Sequence, residues 1–143
     1  MRIILFTILA ILSSTVHAVD GIEYSAVLHL VSKHSRPGFN EKNLGIGMTM
    51  AKDNQFLMFG EFKNSLNQTS LYAGVGRDVY AIGPLSLSIV AGAITGYSIP
   101  VKVYVAPEFG INIGRTRTIF TYVPIFKEAK VASTIGVSLS IKF

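Results

Sequence analysis

The chain contains no cysteine. That absence excludes a disulfide framework, thiol chemistry, and zinc or iron sites of the cysteine type. Long apolar runs are also missing. Although 50% of the residues are hydrophobic, no uninterrupted apolar segment after Leu12 approaches the roughly 20 residues of a spanning helix. If the mature chain enters a membrane, it does so as strands closed into a barrel, because lipid leaves no partner for an unpaired backbone group. Acidic residues are few, 8 against 13 lysines and arginines, for a net charge of +5. The basic residues are dispersed among strand-like segments and form no stripe or basic helix, which argues against nucleic acid as a partner.

What is present starts at the two ends. From Ala132 to Phe143 the chain alternates: Ile135, Val137, Leu139, Ile141 and Phe143 on one side, Gly136, Ser138, Ser140 and Lys142 on the other. An ordinary half-buried strand alternates apolar with charged residues. Bulky apolar residues opposite glycine and serine read as lipid outside and a crowded polar lumen inside. At the other end, Met1-Arg2, an apolar run from Ile3 to Leu12 and Val16-His17-Ala18 fit a signal peptide over residues 1–18, with an uncleaved anchor as the alternative. Together the ends predict one domain, residues 19–143, forming a small transmembrane barrel in the outer membrane of a Gram-negative bacterium. The basic loops then have an anionic surface to meet, the phosphates of lipopolysaccharide.

Eight strands are expected, at residues 23–33, 44–51, 55–63, 68–77, 85–94, 101–113, 116–123 and 132–142, in an all-β, antiparallel, monomeric barrel. With the chain entering from the periplasm, the loops 33–43, 64–67, 95–100 and 124–131 face outward, and the turns 52–54, 78–84 and 114–115 face inward. Glycines 45, 47, 60, 74, 76 and 92 fall within strands, where they either mark bulges or make room in the lumen. Eight strands leave an interior for side chains or one small ligand, which makes the chain a poor candidate for a general porin.

His29 and His34, near the end of the first strand, share the loop end of the barrel with Asn64-Ser65. A hydroxyl beside an imidazole is the minimum for nucleophilic or general-base acyl chemistry, since the ring takes the hydroxyl proton as attack proceeds. A turn serine and two polar rim histidines are the simpler reading of the same residues.

Several segments resemble the lipid A palmitoyltransferase (PagP) family. Phe39-Asn40-Glu41-Lys42-Asn43-Leu44-Gly45-Ile46-Gly47 is similar to its aromatic-Asn-Glu stretch with following glycines, Phe62-Lys63-Asn64-Ser65 to its Phe-Lys-Asp-Ser active-site stretch, and Ala73-Gly74-Val75-Gly76 to its Ala-Gly-aromatic-Gly strand. Thr121-Tyr122-Val123-Pro124 resembles its Thr-Tyr-Ile-Pro near a lateral opening; Pro100, Pro107 and the terminal Phe143 also correspond. The resemblance implies an outer-membrane enzyme that moves a palmitoyl chain from phospholipid to lipid A. It implies Ser65 and His29 as the active pair, with His34 as competitor, and Gly76 as the floor of the acyl pocket. The donor is an activated ester, so no metal, nucleotide or other cofactor is expected.

Two departures stand out. Asn64 replaces the family's Asp, and an amide hydrogen-bonds but does not offset imidazolium charge. Residues 19–22 are too few for the amphipathic helix that clamps the family's barrel. The alternatives are a non-catalytic barrel that binds lipopolysaccharide or a partner through its outer loops, and an acyl-ester hydrolase. An acyl pocket predicts an apolar cavity from Ser65 towards Gly76, whereas a binding barrel predicts a filled lumen. Glu61 and Lys63 share the parity of Ser65 and are expected inside, as an ion pair or a catalytic carboxylate; Arg77, Asp78 and Glu108 are ambiguous in the same way. Lys33, Arg36, Lys42, Lys127 and Lys130 are candidate contacts to lipid A phosphates or plain solvated charge.

Overall fold

The computed structural model describes residues 21–124 and 132–143. The expected signal peptide lies outside the described residues, as do most of the 124–131 loop and its Lys127 and Lys130. The described chain forms eight strands: β1 (Glu23–His34), β2 (Gly45–Lys52), β3 (Gln55–Lys63), β4 (Thr69–Ile82), β5 (Leu85–Ile94), β6 (Lys102–Ile113), β7 (Thr116–Val123) and β8 (Thr134–Lys142). They pair antiparallel in chain order and close, β8 onto β1, into the expected eight-stranded all-β barrel.

One strand differs from expectation. β4 runs on to Ile82, so the expected 78–84 turn shrinks to Gly83-Pro84. The register with β5 shifts between Asp78 and Tyr80. Val79 is the extra residue of this bulge, and alternation resumes beyond it. The turn then opens on a left-handed Gly83 (φ 55°), like Asp53 (φ 56°) and Gly114 (φ 59°) at the other two tight turns of that end, the backbone that two-residue hairpins favour.

The outer face of the barrel is largely apolar. Large apolar side chains point outward and are exposed on successive strands, among them Ile46, Leu57, Val75, Ile89, Val103 and Ile141. Ser70, Ser86, Ser88, Ser138 and Ser140 point inward and are buried. Glu61 and Lys63 are a correction: both face outward, because Phe56, Met58, Gly60 and Phe62 occupy the inward positions of β3. Ser65 lies beyond the strand end, where the chain turns and parity no longer carries over.

Inside, Met58, Tyr72, Val90, Ile94 and Ala106 pack with Phe56, Phe62, Tyr97 and Tyr104 against the β3–β6 wall. A cavity of about 380 Å³ remains between this cluster and β1, β7 and β8. Gly47 and Gly60 hold no side chain where Tyr72 crosses them: a Cβ would lie 2.1 Å and 2.8 Å, respectively, from its hydroxyl.

Candidate active site

A bulge places the two histidines. Against β8, the register of β1 jumps from His29↔Ser138 to Val31↔Val137, so Leu30 is an extra residue. Strict alternation over five residues would put His29 and His34 on opposite faces. The bulge returns both to the inside, where Ser32 and His34 are buried.

Their partners differ. His34 Nε2 is 2.7 Å from Ser65 Oγ, with both residues buried. Its ring stacks on Phe39, 5.0 Å between centroids and 23° between planes. The buried Nδ1 has no hydrogen-bond partner among the described residues. His29 lies deeper and spans the lumen as part of a bar, its Nδ1 2.9 Å from Ser138 Oγ and its Nε2 2.9 Å from the Tyr72 hydroxyl. The structure therefore joins His34, not His29, to Ser65.

Asn64 is fully buried and organises the loops. Its Oδ1 accepts the backbone N–H groups of Leu66 (2.9 Å) and Gln68 (3.0 Å), while Nδ2 donates to Ser70 Oγ (3.0 Å) and the Gly96 carbonyl (2.6 Å). All four hydrogen-bonding directions of the amide are used. Asn40 ties the first loop to the same place, its backbone N–H on the Ser65 carbonyl at 2.9 Å and its Nδ2 on the Asn64 carbonyl at 3.1 Å. Loops 35–44, 64–68 and 95–101 are thus laced together over Ser65 and His34.

Of the remaining candidates, Gly76 is buried beneath the Phe56 ring, whose atoms lie 2.2–2.8 Å from where a Cβ would stand. Phe56, its register partner, presents the surface that meets the cavity. Lys42 is exposed on the first loop, and Pro124 is half-buried where β7 ends. Glu41, also on that loop, pairs with Lys33 at 2.9 Å. The hydrogen bond from Lys33 holds its carboxyl below the ordinary carboxylate value, and the backbone N–H of His34 adds to this.

The cavity begins at Ser65, Tyr97 and Lys102, and its middle is lined by Phe62, Met58, Phe56 and Ile119. Towards the turns it becomes polar. Arg117 Nη2 donates to Ser88 Oγ (2.7 Å) and lies 3.3 Å from Asp78, Ser88 donates to Asp78 (2.5 Å), and Thr121 donates to Glu108 (2.8 Å). Asp78 and Glu108, ambiguous by sequence, line the cavity, as do Arg117, Tyr72 and Tyr97, which no sequence motif singles out. Arg117 carried little signal, since β7 (Thr116–Val123) does not alternate cleanly between apolar and polar residues. A burial-prone Tyr97 between Gly96 and Ser98 had none.

Across protein-family models and curated proteins, no match to this chain is found.

Proposed function

We propose that the chain is an acyltransferase of the bacterial outer membrane, moving an acyl chain from a phospholipid to lipid A, with Ser65 as nucleophile and His34 as base. The observation that carries this reading is the 2.7 Å contact of His34 with Ser65, which itself lines the head of a lumen cavity with an apolar middle. A volume of about 380 Å³ falls in the range of small-molecule sites. The outward belt of exposed large apolar residues supports a lipid surroundings, since water-soluble monomers rarely expose so continuous an apolar surface.

A route for lipid is also supported. β6 and β7 pair only from Glu108↔Thr121 to Ile113↔Thr116, while β6 continues to Lys102, and Pro107 has no N–H to donate. Among the described residues, the half of the wall nearest the loops therefore lacks a β6–β7 ladder, beside Tyr122 and Pro124.

The chemistry balances without a cofactor. Ser65 Oγ attacks the ester carbonyl carbon while His34 Nε2 takes its proton, and the carbonyl electron pair moves onto oxygen. Collapse breaks the bond to the lysophospholipid alkoxide, which leaves with the proton from His34. A lipid A hydroxyl then attacks the acyl-serine, giving its proton to His34, and Ser65 leaves with that proton. The basic outer residues Arg36 and Lys42 are suited to the phosphates of lipid A.

The Nδ1 of His34 favours a second reading, a non-catalytic barrel that binds lipopolysaccharide, because among the described residues no carboxylate hydrogen-bonds that nitrogen to hold the ring for base catalysis. Mass spectrometry of lipid A decides between them, using Gram-negative cells that lack their own palmitoyltransferase and express this protein or Ser65→Ala. A palmitate-sized gain that vanishes in the variant is expected. No gain from protein verified in the outer membrane would leave the binding barrel.

A further inference from the structure

The second and third loops are clasped tightly enough to fix two neighbouring side chains. Asn64 Nδ2 donates to the Gly96 carbonyl at 2.6 Å, and Ser70 Oγ donates to the Thr95 carbonyl at 2.5 Å. Gly96 has φ +81°, and a Cβ on it would lie 2.6 Å from the Thr69 carbonyl oxygen. Only a residue without a side chain lets the loops approach this closely. The clasp joins Asn64 to Gly96, so the residues that follow them, Ser65 and Tyr97, are delivered to the same side.

Tyr97 is packed on the Met58–Tyr72–Ile94 cluster, which leaves its ring little freedom. The two side chains line the head of the same cavity, and hydrogen bonding from Ser65 partly offsets the rise that burial gives the Tyr97 phenol. The Lys102 ammonium sits 5.2 Å from the centre of the Tyr97 ring. A cation over the ring face is attracted to its π electrons, which helps to hold the ring in place.

We propose that Tyr97 is a catalytic residue, its phenol donating a hydrogen bond to the oxygen of the acyl carbonyl that Ser65 attacks. This role rests on the acyl-transfer reading. An acyl chain in the lumen brings its carbonyl to Ser65 from the cavity side, where Tyr97 stands, because the laced loops cover the other side. Negative charge then grows on that oxygen as the bond to Ser65 forms, within reach of a donor already held in place. Burial pushes the phenol above its ordinary value, so it remains protonated at neutral pH and able to donate.

The test uses the full-length protein in detergent micelles with a phospholipid donor and a lipid A acceptor. Tyr97→Phe keeps the ring packing and removes only the hydroxyl. Loss of one such donor is expected to lower kcat by roughly 10²- to 10³-fold while KM changes little. Replacing Tyr97 by a fluorinated tyrosine, whose phenol ionises at lower pH, is expected to move the alkaline limb of the kcat profile downward. If the wild type transfers acyl chains and Ser65→Ala does not, an unchanged kcat in Tyr97→Phe overturns the role of Tyr97 alone. An unmoved alkaline limb overturns it too, even if Tyr97→Phe folds poorly. A wild type that transfers nothing overturns the acyl-transfer reading and this role with it.

Discussion

Asn64 Nδ2 and the Gly96 carbonyl oxygen lie 2.6 Å apart, a contact that an aspartate cannot make. A carboxylate there would face the Gly96 oxygen and Ser70 Oγ with no proton to offer. Asn64→Asp is therefore expected to destabilise the barrel by about 3 kcal/mol at neutral pH, as for a buried polar group that loses its partners. Denaturant unfolding in detergent measures this. The penalty should shrink as acidification protonates the new carboxyl and restores one donor. A variant as stable as the wild type would mean that the loop clasp contributes little.

The two histidines should separate kinetically. His34→Gln removes the base from Ser65 and is expected to lower acyl transfer by about 10²- to 10⁴-fold. His29→Gln breaks the Tyr72–His29–Ser138 bar, two hydrogen bonds worth about 1 kcal/mol each, and should leave transfer measurable. Initial rates and unfolding curves on both variants give the comparison. A larger rate loss at His29 would return the catalytic role to the deeper histidine.

Much of the fold was legible because the alternation in this chain is strong. The terminal strand shows it best: Ser138 and Ser140 are buried inward and Ile135 and Ile141 are exposed outward, as the period of 2 requires. Bulges were not legible. Leu30 and Val79 look like their neighbours, yet each resets the parity of its strand; β4 runs past Asp78 through one, and His34 points inward through the other. Glu61 and Lys63 were misplaced because parity was counted back from Ser65 across a strand end. At the site, the sequence supplied Ser65 and both histidines, and the resemblance favoured His29, whereas the structure joins His34 to Ser65. That choice depends on the bulge and on loop closure, which are tertiary. Asn64 read as a degraded catalytic aspartate, but its four hydrogen bonds make it the residue that holds the loops.

Gly76 and Phe56 face each other across the β3–β4 ladder. A Cβ at Gly76 would lie 2.2 Å from the Phe56 ring, so Gly76→Ala must drive that ring into the cavity. The expected cost is about 1–3 kcal/mol from overpacking. Any acyl chain accepted by the variant should be shorter, which mass spectrometry of the transferred chains reads directly. Phe56→Ala removes the surface itself and should admit longer chains, at about 3–5 kcal/mol of stability. Unchanged chain lengths in both variants would place the end of the acyl site elsewhere in the lumen.

The Lys33–Glu41 pair predicts a pH-dependent contribution at the loop end. The folded-state carboxyl of Glu41 lies below its ordinary value because of the Lys33 hydrogen bond. A depressed acid stabilises the fold above its unfolded pKa and loses that contribution as pH falls through the folded one. Wild-type Tm should therefore exceed that of Glu41→Gln near neutral pH, and the difference should fade as acidification passes the lowered folded-state pKa of Glu41 and protonates it. Both side chains are well exposed, so about 1 M salt should also reduce the gap. A difference that survives acid and salt would mean that Glu41 holds residues 35–44 through packing and not through its charge.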